Sequence, residues 1–229
     1  MRLVWLFILV LFATFRSLSV EPVQKISQDS IQTELREMLR EYGLLKEVPE
    51  ELQATFYTAL KYYPELKDVR IVVKYKNIKT TMQCAPRWDF FLHKIENRTY
   101  VISVDEEVKN DYGVLFSQLP LNAQIGVFGH ELAHVIDYQT RNTFEIALFG
   151  IHYLQVDKKK KIENSIDLIA IQKGLGYQIN DFSKYVFEDS DASFDYLKYK
   201  RKFYFRPSQI RKLIAENPIY YSPNEVLIE

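Results

Sequence analysis

The chain has 229 residues, of which 47% are hydrophobic, and a formal net charge of zero. That length suits one domain with a core of its own. The basic residues are not gathered into one stripe, which argues against a nucleic-acid partner. Seven glycines against 16 tyrosines and 15 phenylalanines exclude a linker-rich or disordered chain.

In chain order, Arg2 is followed by an apolar run from Leu3 to Ala13 and by small residues at Ser17 and Ser19. This is the plan of a secretory signal peptide with cleavage after Ser19. The run is short for a membrane span. The expectation is that residues 1–19 form the leader and residues 20–229 one domain, secreted or periplasmic. An uncleaved, membrane-anchoring N-terminus is the alternative. A single cysteine, Cys84, rules out an internal disulfide.

Residues Ser30–Tyr42 and Pro49–Tyr62 read as amphipathic helices, the first with Asp29 and Ser30 as candidate caps. Arg70–Lys76 alternates and is β-branched, so it reads as a strand. Met82–His93, with Pro86 and several aromatics, reads as strand or loop. Arg98–Asp105 is a second clear strand, with Tyr100, Ile102 and Val104 on one face. A loop containing Tyr112, Gly113 and Pro120 follows. A proline-free helix then runs from about Leu121 to Tyr138, with further helices at Thr143–Tyr153 and across Glu163 to about Gly174. The last third is mixed, acidic over Glu188–Asp195 and basic over Lys198–Lys212, with a short helix starting at Pro207. The plan is α+β.

The most informative stretch lies within the long helix. Residues 130–134 read HELAH and hold two of the four histidines. On a helix, His130 and His134 stand one above the other on one face, where two imidazoles can chelate one metal ion. Glu131 projects from the neighbouring face, within reach of a water on that metal. The surrounding residues, from Ile125 to Ile136, are mostly apolar, which places the motif in a buried helix. Gly126 and Gly129 allow another element to approach closely.

A catalytic zinc takes three protein ligands and keeps one position open. Asp137 is a helical turn too far along to close the set and reads as structural, paired with a basic or backbone group. Glu163 and Asp167 form a second i, i+4 pair, on a helix whose apolar stripe is Ile162, Ile166, Ile169 and Ala170. Packed on the HELAH helix, that stripe aims Glu163 at the metal. Asp167, one turn deeper, is then placed to accept the free ring N–H of a ligating histidine.

HELAH followed downstream by E-x-x-x-D resembles the gluzincin division of the zincin metallopeptidases. The longer string HELAHVIDY is similar to gluzincins of the lethal-factor type, and the compact size resembles the minigluzincins. A metzincin requires Gly and then His or Asp where this chain has Asp137 and Thr140. The resemblance implies a zincin-like α+β domain with a small mixed sheet, an active-site helix and a glutamate-ligand helix. It implies one zinc on His130, His134 and Glu163, Glu131 as general base and Asp167 as the acid behind a ligand. The activity implied is peptide-bond hydrolysis by a monomer. It further implies that an extended polypeptide substrate pairs with a strand edge, for which Arg98–Asp105 is the candidate. The alternatives are a zinc amide hydrolase using Cys84, a binding module without turnover, and an enzyme whose own N-terminal helices block the cleft. His152, Tyr153, Tyr177, Tyr204 and Arg206 follow the motif as potential oxyanion donors, none singled out.

Overall fold

The computed structural model describes residues 20–106 and 113–221. The leader expected at residues 1–19 lies outside them. Among the described residues no helix is long and apolar enough to cross a membrane.

Helix α1 (Gln28–Tyr42) starts where the Ser27 hydroxyl accepts the Ser30 N–H at 3.1 Å. The cap is therefore Ser27, not Asp29 or Ser30, because only Ser27 sits one residue outside the first turn with its oxygen facing the free N–H groups. Helix α2 (Glu50–Leu60) follows Pro49 and packs on α1. The strands are β1 (Lys46–Glu47), β2 (Arg70–Tyr75), β3 (Met82–Pro86) and β4 (Thr99–Val104). They form one sheet in the order β1-β2-β4-β3, with β2 parallel to β1 and β4, and β3 antiparallel to β4.

This order corrects the expectation for Arg98–Asp105. Strand β4 is paired on both sides, with β2 through Ile71↔Tyr100 and with β3 through Cys84↔Ile102. Five of its six residues are buried, the signature of a strand covered on both faces rather than an edge. The edges are β1 and β3. In β3, exposed Gln83 and Ala85 alternate with more buried neighbours, and Pro86, which has no N–H, closes it. Strand β3 is the edge that meets the motif helix.

That helix, α3 (Leu121–Gln139), is the axis of the molecule. Helix α2, strand β3, helix α5 (Val156–Ala170) and helix α6 (Gly176–Lys184) all pack on it. It is buried nearly all round, as a helix apolar on every face must be. Phe128 meets Phe56 and Phe116 edge to face at 5.5 and 5.2 Å, and Tyr63 donates to the Gly129 carbonyl at 2.6 Å. The two glycines do what their positions suggested. A Cβ on Gly126 would stand 2.2 Å from the Gln178 carbonyl oxygen, and one on Gly129 2.6 Å from Leu175 Cδ1. Their bare backbone lets α6 lie against α3.

Helix α4 (Thr143–Tyr153) is capped by Asn142 and Glu145, whose side chains and backbone N–H groups bond reciprocally. After α5 the chain widens into a π-type turn and reverses through Gly174, whose φ of 101° suits glycine. Helices α7 (Phe194–Phe203) and α8 (Pro207–Ala215) complete the fold. Of these late elements only α8 was legible from its proline.

Candidate metal centre

Two helices supply the centre. Helix α3 presents His130 and His134 with ring centroids 5.0 Å apart, and α5 presents Glu163 from the facing side. Glu163 Oε2 lies 3.2 Å from His130 Nε2 and 3.7 Å from His134 Nε2. One donor atom from each of the three falls within 4.8 Å of the others, and all three residues are buried. Tetrahedral zinc with bonds near 2.0–2.1 Å separates its ligand atoms by about 3.3 Å. The two separations from Glu163 lie near that value, so the three donors form a group that could hold a metal ion. Cys84 is not part of this group.

The outer contacts are equally specific. Asp167 Oδ1 lies 2.8 Å from His130 Nδ1, so the carboxylate fixes the ring and directs Nε2 toward the other donors. The Tyr153 hydroxyl of α4 donates to Glu163 Oε1. That bond occupies one carboxylate oxygen and leaves Oε2 facing the imidazoles. Asp137 is turned away, held by the Arg141 guanidinium through two bonds of 2.8 and 2.7 Å.

Electrostatics follow from burial. Burial opposes a charged His130, but the hydrogen bonds from Asp167 and Glu163 outweigh it and raise its pKa to about 10. Burial likewise opposes the Glu163 carboxylate, yet the hydrogen bond from His130 and the nearby His134 imidazole hold its pKa well below the usual carboxylate range. In the metal-free chain, imidazolium and carboxylate thus neutralise one another, and a bound cation would take the place of those protons. Glu131 differs. Burial raises its pKa, with the two imidazoles pulling it back, and its Oε2 has no hydrogen-bond partner. An unpartnered buried carboxylate oxygen is costly unless a ligand or water satisfies it. His134 Nδ1 is likewise unpartnered.

Against His130 and Glu131 lies a cavity of about 30 Å³, lined also by Thr81, Asp167, Lys200 and Tyr204, among others. It has room for a water molecule or two. The Tyr204 ring stands 5.7 Å from the His130 ring. Lys200, buried on α7, points its ammonium at the faces of Tyr204, Tyr196 and Phe182, with centroids at 4.3, 5.4 and 5.4 Å. The covering residues come from the C-terminal third and not from the N-terminal helices.

The structure therefore brings together His130, Glu131, His134, Glu163 and Asp167, all five named from sequence. It adds Tyr153 and Tyr204, which sequence reading named without choosing, and Lys200, for which the sequence carries no signal beyond its place among tyrosines. Tyr177 meets Tyr220 edge to face instead. No family model, curated protein or solved structure matches the chain.

Proposed function

We propose that the protein is a zinc-dependent endopeptidase of the gluzincin kind, with His130, His134 and Glu163 as ligands and Glu131 as general base. The observation that carries this reading is the convergence of the three donors beside a buried carboxylate whose Oε2 has no protein partner. A zinc ion held there would bring the pKa of a coordinated water toward neutrality and polarise a carbonyl. Glu131 would serve as the proton acceptor from the attacking water and donor to the leaving amine, a task helped by its raised pKa. Asp167 keeps His130 in one tautomer and orientation, and Tyr153 engages Glu163 Oε1, leaving Oε2 as the oxygen that would meet a metal. An extended polypeptide would add to the free edge of β3, which lies against α3, and be held by main-chain hydrogen bonds.

The test joins metal content to turnover. Purified protein should hold one zinc by elemental analysis and cleave an unfolded protein such as casein, with chelator-treated enzyme as the blank. Glu163→Ala should lose most of its zinc. Full zinc occupancy in that variant would overturn the ligand set, and zinc-loaded protein that cleaves nothing in a broad peptide library would overturn the protease reading.

One observation favours a second reading, a closed form of the same enzyme. The five centre residues are buried, and the cavity beside them is too small for a peptide. In this reading Lys200 to Phe205 must shift before substrate reaches Glu131. Protein that turns over only after that segment is altered or cut would support it.

A further inference from the structure

A folded domain normally exposes large apolar side chains singly. Here eight of the fourteen among the described residues gather in two segments. Trp88, Phe91 and Leu92 follow the edge strand β3, and Trp88 is 76% exposed. On α4 and just beyond it, Phe144, Leu148, Ile151, Leu154 and Val156 are exposed, Leu154 at 85%. Their spacing of four, three and three residues keeps Phe144 to Leu154 along one side of the helix. The opposite side, with Ile146 and Phe149, is already buried in the core. Helix α4 is thus apolar on both faces, and the outer one has no partner among the described residues.

The two segments are linked through Arg98. The Trp88 loop leaves the sheet where the Arg87 N–H donates to the Thr99 carbonyl at 2.8 Å. Next to Thr99, the buried Arg98 guanidinium donates to the Arg141 carbonyl at 2.8 Å and to Thr143 Oγ1 at 2.9 Å, at the start of α4. One arginine therefore ties the aromatic loop to the apolar helix.

Charge chooses the occupant. Directly after Val156 the chain reads Asp157-Lys158-Lys159-Lys160-Lys161. Lys159 turns inward to Tyr199, while Lys158, Lys160 and Lys161 are exposed. An outward apolar helix face, an exposed tryptophan in the loop linked to it through Arg98 and three exposed ammonium groups just after it match the boundary of an anionic bilayer. The helix is far too short to span one and would lie in its plane.

We propose that the outer face of α4, with the Trp88 loop, is a docking surface for an anionic lipid bilayer. This holds whatever the metal centre does. The experiment uses the full chain carrying Trp5→Phe, which leaves Trp88 as the only tryptophan and removes any signal from the apolar N-terminal run. The probes are vesicles of phosphatidylcholine with and without phosphatidylserine, their acyl chains brominated. Trp88 emission should be quenched on the phosphatidylserine vesicles and far less on the neutral ones. Replacing Lys158, Lys160 and Lys161 by Gln should weaken binding by roughly fivefold per lysine. Leu154→Asp should abolish the quenching while the unfolding midpoint holds. Should Leu154→Asp disturb the fold, Phe144→Asp at the other end of the face makes the same test. An unquenched Trp88 on chain that still floats with the vesicles would overturn the proposal, since the N-terminal run alone would then be the anchor. So would binding indifferent to phosphatidylserine or to the lysines, or a face occupied in solution by a second copy of the chain.

Discussion

The side chains below the cavity and those above it are held by different forces. Below, His130, Glu163 and Asp167 are joined by charge-assisted hydrogen bonds between helices α3 and α5. Above, Lys200 and Tyr204 are held by ring faces, with the ammonium 4.3 Å from the Tyr204 centroid. Hydrogen bonds among buried charges are steep in distance and angle, and breaking one strands a charge. Contacts over aromatic faces are worth about 0.5–2 kcal/mol each and tolerate sliding. The lower layer is therefore built for fixed geometry and the upper one for displacement. That division suits a centre that must position a base within tenths of an ångström and also admit a chain.

The largest effect should come from the one lower residue that holds nothing. Glu131→Gln keeps the shape of the side chain and removes the base. Zinc content and unfolding midpoint should stay near wild type, while casein hydrolysis falls by about 10²–10⁴-fold or more. A variant as active as wild type would break the assignment even with the metal in place.

The lower layer was legible in the sequence and the upper one was not, for a physical reason. Metal ligation demands particular residue types at helical spacing, so HELAH and Glu163 to Asp167 stand out in the linear chain. Asp137 could be set aside on spacing alone, and Arg141 four residues on explains where it goes. Gly126 and Gly129 announced a close helix contact without naming α6 as the partner. The roof needs only rings at approximate distances, which many sequences supply, so Lys200 and Tyr204 carry no mark. Strand order was misjudged for a related cause. The run Thr99–Val104 shows that a strand is buried, but pairing partners depend on where β3 folds back, and only the register of Cys84 on Ile102 reveals it.

Packing of the lower layer can be broken without touching its chemistry. At Gly126 the obstacle to a Cβ is backbone, the Gln178 carbonyl oxygen at 2.2 Å, whereas at Gly129 it is the tip of Leu175 at 2.6 Å. A side-chain tip can rotate and a carbonyl within a helix cannot. Gly126→Ala should destabilise the protein by about 3 kcal/mol or fail to fold, and Gly129→Ala by about 1 kcal/mol, as denaturant unfolding would measure. Equal costs would mean that α6 is not seated as described.

Asp167→Asn should be milder in activity, with zinc affinity or turnover down by roughly 10–100-fold through a loosened His130. The same carboxylate shapes the metal-free protein. His130 has its pKa raised from 6.5 to about 10, with burial outweighed by Asp167 and Glu163. A raised folded pKa means that the stabilisation is complete below the unfolded value and is lost as pH rises through the folded one. Chelator-treated protein should therefore lose stability steadily from about pH 6.5 to pH 10. Asp167→Asn should flatten that slope, because it removes the first of the contacts that raise the pKa. Parallel slopes in the two proteins would show that His130 does not draw its charge from Asp167.

The smallest effect, and the one that most sharpens the contrast, belongs to the roof. Tyr204→Ala removes the ring standing over His130, and Tyr204→Phe keeps the ring while deleting the hydroxyl. If the upper layer only covers, the alanine variant should turn over an unfolded protein several-fold faster, because a larger fraction of molecules is open to substrate. The phenylalanine variant should match wild type, and both should keep their zinc. A several-fold loss in Tyr204→Phe would carry the opposite meaning. The hydroxyl would then take part in the reaction, and the line between a fixed lower layer and a displaceable upper one would have to be redrawn with Tyr204 below it.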